Sequence, residues 1–280
     1  MSIELPEAQI LAAQMAREIH GKSIAAYTLR DYERLQRIGM LNRDTHDFDQ
    51  LLNRTVTSVT SRGNTIRVTL EGGVNLLLGP EYGGSIRYYP GAVSQPGKFH
   101  LKVVFSDASA LTVRLTSMGV IRVLTDAELP DAYLFRRDFN PQVPSPLDAV
   151  LTYGLFSTRL ARRNRMLKSV LVGKDAVVVG LSNSAFQDIV YRARLHPKRQ
   201  ATALREGERR ALYDALSFVL HERLRLGGKA EFADLYGARG GYAPAMGPHM
   251  HQRPCPACGT TIATLHVGGG RVHFCPVCQV

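Results

Sequence analysis

The chain has 280 residues, a hydrophobic fraction of 45% and a formal net charge of +11. It is long enough for two ordinary cores, and its Leu, Val and Ile are spread as in a folded globular protein. No apolar run approaches the roughly 18 residues that a membrane helix needs, and the acidic opening MSIELPEAQ lacks the basic-then-apolar pattern of a secretion signal.

The first predicted element is a helix. Pro6 suits a first helical turn, Glu7 favours the positive end of the dipole, and Gly21 closes the run. Ala8, Leu11, Met15 and Ile19 give it one apolar face. Residues 28–50 are mixed and charged and read as a long connection.

From about 52 to 125 the period becomes two. Ile66, Val68 and Leu70 alternate with Thr65, Arg67 and Thr69, and Glu71-Gly72-Gly73 turns the chain into Val74–Leu78. Short β-rich runs follow at Ser85–Tyr89, Phe99–Phe105, Leu111–Leu115 and Val120–Leu124. Strands at this spacing predict a sandwich or barrel-like pair of sheets. Pro141, Pro144 and Pro146 mark a linker, after which helices are predicted near 147–156, 159–171, 183–194 and 206–226. The last is the clearest, with Leu212, Leu216, Val219 and Leu220 on one face and Gly227-Gly228 ending it. The fold class expected is α+β: a leading helix and β-sandwich over 1–130, a linker over 131–145, a helical domain over 146–236, and a metal-binding segment over 237–280.

That final segment carries the strongest motif. Cys255-Pro-Ala-Cys258 and Cys275-Pro-Val-Cys278, sixteen residues apart, are the only cysteines. Each C-x-x-C turn offers two thiolates, and four complete a tetrahedral zinc shell with no open position, so one structural Zn2+ is expected. A hairpin with Gly268-Gly269-Gly270 at its tip fits between them. His249, His251, His266 and His273 crowd the region and are expected in loops or facing solvent.

Charge is concentrated rather than spread. Residues 159–210 hold 13 Lys and Arg against 4 Asp and Glu, whereas residues 1–130 hold 14 against 13. A concentrated basic segment favours a polyanion, because each neutralised phosphate releases a condensed counterion.

Three stretches taken together resemble the formamidopyrimidine-DNA glycosylase / endonuclease VIII family: Glu4-Leu5-Pro6-Glu7 opening a helix; Gly180-Leu181-Ser182-Asn183 running through Leu195-His196-Pro197; and Cys258-Gly259-Thr260-Thr261-Ile262 with the closing Cys275-Pro276-Val277-Cys278-Gln279. The resemblance implies a helix–two-turn–helix motif with Asn183 at a helix start facing a DNA phosphate, a chemistry suited to helix N-termini. Lys198, after His196-Pro197, and Arg271, near the hairpin tip, are the further DNA contacts it implies. Arg271 stands one residue later than the family's arginine, whose place Gly270 takes.

The family's reaction starts with an N-terminal amine, usually of proline, attacking C1′ of an everted nucleotide. An imine forms, the damaged base leaves, and elimination cuts the strand. An α-amine titrates at about 7.7–8 and is partly neutral near pH 7. Here Ile3 stands where the family has its terminal proline, and Ser2 precedes it. Removal of Met1, which a small second residue favours, leaves the terminal amine on Ser2, so the catalytic set implied is that amine with Glu4 and Glu7 as proton carriers, or Glu4 activating water directly. Asn64, after Arg62-Gly63, replaces a family lysine; Gly79–Gly84 with Tyr82 replaces the loop that bears an intercalating methionine; and Thr116–Gly119 is a shortened loop. The resulting expectation is a monomeric, zinc-containing DNA repair glycosylase and AP lyase of bacterial type, cytoplasmic and nucleoid-associated, binding damaged or abasic DNA and no membrane. A non-cleaving binder of damaged DNA on the same scaffold is the alternative.

Overall fold

The structure is a computed structural model. It describes residues 3–91, 98–116 and 118–280, with the side chains of Glu81, Tyr82 and Met118 outside that description. The chain divides into two compact units: the residues up to Asn140 together with Leu226–Gly241, and Pro141–Arg225 together with Tyr242–Val280.

In the first unit, α1 (Leu5–Ile19) begins at the expected place, with Pro6 in its first turn. The segment from 28 to 50 is more ordered than its mixed composition implies. It contains the end of β1 (Ile24–Leu29), the short α2 (Tyr32–Arg37) and a 3-10 turn at Thr45–Leu51. Leu35, Leu41, Phe48 and Leu51 bury themselves from it, at irregular spacings that no single period detects. The strands β2 (Val56–Arg62), β3 (Thr65–Leu70), β4 (Val74–Tyr82), β5 (Ser85–Tyr89), β6 (Leu101–Phe105), β7 (Ala110–Arg114) and β8 (Met118–Thr125) follow, then α3 (Tyr133–Asp138).

Two antiparallel sheets result, ordered β2-β3-β4-β8 and β1-β6-β7-β5. Ile66, Val68 and Leu70 point inward from β3, and Leu101, Val103 and Phe105 from β6. They share one core with Leu11, Met15 and Ile19 of α1, so the sandwich with a leading helix is as expected. Phe232 and Leu235 of the returning segment join the same core. That burial explains why residues 226–241, read from sequence as part of the helical and metal-binding regions, belong compactly with the first unit.

The second unit contains α4 (Tyr153–Ala161), α5 (Leu167–Val172), α6 (Asn183–Arg192) and α7 (Glu206–Arg225). The predicted run 159–171 is broken. Arg162, Arg163, Asn164 and Arg165 are exposed and supply no buried face, and α5 starts only where Leu167 and Val170 become buried. Helix α6 ends earlier than expected because Arg194 takes a left-handed φ of 56°. The strands β9 (Ala263–Val267) and β10 (Gly270–Phe274) form an antiparallel hairpin. Its turn is Gly268-Gly269, with φ of 50° and 75°, and Gly270 already belongs to β10. Among the described residues no helix is long and apolar enough to cross a membrane.

Candidate active site and metal centre

In the first unit, Glu4 and Glu7 cap α1 reciprocally. The Glu4 side chain accepts from the backbone N–H of Glu7, and the Glu4 N–H donates to Glu7 Oε2 at 3.1 Å. Both carboxylates are fully buried, which is unusual for a helix start and requires donors around them. A third residue provides these. Lys229 places Nζ 3.6 Å from Glu4 Oε2, and its backbone N–H donates to Glu7 Oε1 at 3.2 Å. Sequence reading missed Lys229, since a single lysine after Gly227-Gly228 carries no local signal.

The loop bearing Lys229 is anchored from several sides. Gln14 donates to Asp234 Oδ2 at 2.7 Å and accepts from the N–H of Leu235 at 2.9 Å. Arg87 Nη1 donates to the carbonyls of Ala233 at 3.0 Å and Asp234 at 2.6 Å. Ser2, the expected amine, lies outside the described residues, as does the side chain of Tyr82. Ile3 is described, and its side chain is 3% exposed within the core.

Asn64 is buried at the β2–β3 turn, and its N–H donates to Asp138 Oδ2 at 3.2 Å. Asp138 also accepts from Thr65 Oγ1 at 2.6 Å and from the Arg137 guanidinium at 2.7 and 2.8 Å. The position that the resemblance gives to the family's lysine thus holds a buried Asn64, tied through its backbone to a carboxylate that pairs with Arg137.

In the second unit, the stretches that are far apart in sequence meet. The four cysteine sulfurs lie within 4.8 Å of one another, with Cys255–Cys278 at 3.9 Å and Cys258–Cys275 at 3.5 Å. Four thiolates at a Zn–S length of about 2.3 Å stand about 3.8 Å apart, so the cluster has the size to hold a metal ion. Hydrogen bonds from the hydroxyl and N–H of Thr260 lower the Cys258 thiol to about 6, which favours its thiolate. The knuckle is seated on the helical part: Gln279 accepts from Cys275 N–H at 2.9 Å and donates to Leu195 O at 2.9 Å, and Tyr191 Oη lies 3.4 Å from Cys255 Sγ.

Asn183 opens α6, with Ser182 as its cap. Its Nδ2 donates to the carbonyl of Arg271 at 2.8 Å, so helix start and hairpin are tied together. Lys168 reinforces this. It is 4% exposed, and its Nζ donates to Val267 O at 2.6 Å and reaches Gly270 O at 3.4 Å. Burial lowers its pKa. Arg271 and Lys198 both have exposed side chains, and the Lys198 N–H donates to His196 Nδ1 at 3.2 Å.

The histidines divide. His249, His251 and His266 are exposed, as expected. His273 corrects that expectation: it is 4% exposed, and its Nδ1 and backbone N pair with Gln187 Oε1 at 2.9 and 2.8 Å. Val272, His273 and Phe274 are buried in succession, and Gln187 of α6 holds His273 there. Burial, followed by the charges of His251, Arg271 and His249, lowers its pKa.

Comparison with known proteins agrees with this arrangement. Residues 3–118 match the formamidopyrimidine-DNA glycosylase N-terminal domain, and residues 143–233 match the formamidopyrimidine-DNA glycosylase H2TH domain. The chain is 28% identical to the formamidopyrimidine-DNA glycosylase of Streptococcus pneumoniae over 99% of its length and 98% of the relative's. It is 29% identical to that of Roseiflexus over 99% of each chain. Among solved structures, the MutM (Fpg) protein of Thermus thermophilus superposes with a TM-score of 0.81 at 26% identity, covering 99% of this chain and 98% of that one.

Proposed function

Because the chain belongs to the formamidopyrimidine-DNA glycosylase / endonuclease VIII family, we propose that it is a DNA repair glycosylase acting on damaged bases or abasic sites in DNA. The buried Glu4–Glu7 pair at the start of α1 carries this reading, since it lies within the matched N-terminal domain and keeps two proton-carrying groups in a dry site. In the reaction, an amine adds to C1′ of the damaged nucleotide, the base departs with a proton, and β-elimination from the imine cuts the strand. A carboxylate pair suits these steps, because one group takes the proton that the amine releases while the other donates to the leaving base or sugar oxygen. The nucleophile that the resemblance implies is the Ser2 amine left by removal of Met1, with Glu4 and Glu7 as the proton carriers.

The nucleic-acid contacts proposed are Asn183, Lys198 and Arg271. Their setting is the segment with nine more basic than acidic residues between 159 and 210 and the hairpin joined to it by Asn183. The metal proposed is one Zn2+ held by Cys255, Cys258, Cys275 and Cys278. Four thiolates at these separations suit zinc, whose role in this reading is to hold the hairpin against α6. Bound zinc supplies folding energy, with no open coordination position for chemistry. The site of action proposed is the bacterial cytoplasm, on the nucleoid.

The test is strand cleavage and base release on duplexes that carry one oxidised purine, one oxidised pyrimidine or one abasic site. Excision or cleavage above an undamaged control, reduced at least a hundredfold in Glu4→Gln, is expected. Tight binding to the damaged duplex without any base release or cleavage would instead make the protein a damage binder.

A further inference from the structure

We propose that Lys229 supplies the amine that bonds to C1′ of an abasic sugar, in place of the chain terminus. The inference rests on the glycosylase and lyase reading above and names the nucleophile within it.

Two observations converge. The first is at Ile3. Its side chain is 3% exposed and packed in the core of the first unit, and because Ser2 precedes it in the chain its nitrogen is an amide. An amide lone pair is delocalised and does not attack carbon. A terminus one residue further on would lie up to about 3.5 Å away, as much as the whole separation of reacting atoms.

The second observation is at the carboxylates. Lys229 is 2% exposed and is held at both ends, Nζ 3.6 Å from Glu4 Oε2 and backbone N–H 3.2 Å from Glu7 Oε1. The approach is built for closeness. Gly228 has φ of +96°, and a Cβ there would lie 2.5 Å from the Phe232 ring and 3.2 Å from Glu7 Cγ. The Glu4 carboxylate within reach is a base that can take the ammonium proton, which frees the Nζ lone pair for attack on a carbonyl carbon.

The step balances with the groups present. The Lys229 ammonium passes one proton to the Glu4 carboxylate, and the freed Nζ lone pair forms a bond to C1′ of the ring-opened aldehyde. The C1′–oxygen π pair moves to oxygen, which takes protons from Nζ and from Glu4 and leaves as water, giving a protonated imine. Loss of a C2′ proton to a carboxylate then pushes an electron pair toward the imine and expels the 3′ phosphate. Water hydrolyses the imine afterwards and restores the lysine.

The test is borohydride trapping of the full chain on an abasic-site duplex, followed by proteolysis and mass spectrometry of the adduct. Modification of Lys229 is expected, and selective acylation of the α-amine should leave the trapped yield unchanged. Lys229→Arg should trap at least a hundredfold less while still binding a duplex with a tetrahydrofuran abasic analogue. Lys229→Gln serves if the arginine variant fails to bind. An adduct on the N-terminal peptide, or wild-type trapping by Lys229→Arg, overturns the inference and leaves the glycosylase reading intact. Base excision without any adduct does the same. Absence of adduct, excision and cleavage together overturns both.

Discussion

The amide of Asn183 donates to the backbone carbonyl of Arg271 across 2.8 Å, joining the first turn of α6 to the hairpin strand β10. The residue implied for phosphate contact therefore also positions the hairpin. Asn183→Ala should lower affinity for duplex DNA about tenfold, the value of a hydrogen bond of about 1.5 kcal/mol. Its metal content should be unchanged. A binding titration with metal analysis on the same sample checks both.

Arg271 takes part in that tie through its carbonyl, and its side chain is exposed. If its guanidinium neutralises a phosphate, Arg271→Ala should weaken binding to all sequences alike and reduce the slope of log affinity against log salt by about one. Affinities measured at several salt concentrations give the slope directly. An unchanged slope would remove Arg271 from the phosphate contacts.

Cys275 is fully buried in a small cluster with Met246, Cys255 and Ile262. With an ion held by the four cysteines, Cys275→Ser should release it and lower the thermal stability of the second unit, because metal binding at such a site contributes folding energy. Inductively coupled plasma measurement and a melting curve test it. Full metal occupancy in the variant would refute a four-cysteine site.

Gly63 turns between β2 and β3 at φ of 57°, and a Cβ there would lie 2.6 Å from Cγ of the buried Asp138. Asp138 cannot swing away without releasing the Arg137 fork and the Thr65 hydroxyl. Gly63→Ala should therefore destabilise the first unit by about 2–4 kcal/mol, combining left-handed strain with a clash. Denaturant unfolding measures it.

His100 titrates against folding. Burial lowers its pKa despite the opposing charge of Asp31, and Arg114 and Arg34 lower it further; its Nδ1 accepts the Leu115 N–H at 2.8 Å. With the folded pKa below the unfolded value of about 6.5, the unfolded chain binds more protons as pH falls. The stability contributed by neutral His100 is fully present above about 6.5 and is lost as pH falls through the folded value. The difference in melting temperature between wild type and His100→Gln should accordingly be larger at pH 7.5 than at pH 5. A pH-independent difference would show that His100 does not carry this dependence.

Much of this molecule was determined by local sequence. The C-x-x-C pairs, the Leu-Pro-Glu helix start and the alternation of Ile66, Val68 and Leu70 each follow from residues close together in the chain. Turn geometry, capping and strand period are short-range properties. The broken helix after Arg162, the inward turn of His273 and the ordering of 28–50 were decided instead by which residues found a buried partner. The carboxylate site shows this division most sharply. Glu4 and Glu7 are legible as helix-start acids, three residues apart. That they are buried, and that Lys229 meets them, was decided only by the return of residues 226–241 to the first unit, where Phe232 and Leu235 gain burial in its core. A contact between positions more than two hundred residues apart leaves no periodic trace. The physical reason is that its stabilisation comes from shared desolvation, which no stretch of the sequence possesses by itself.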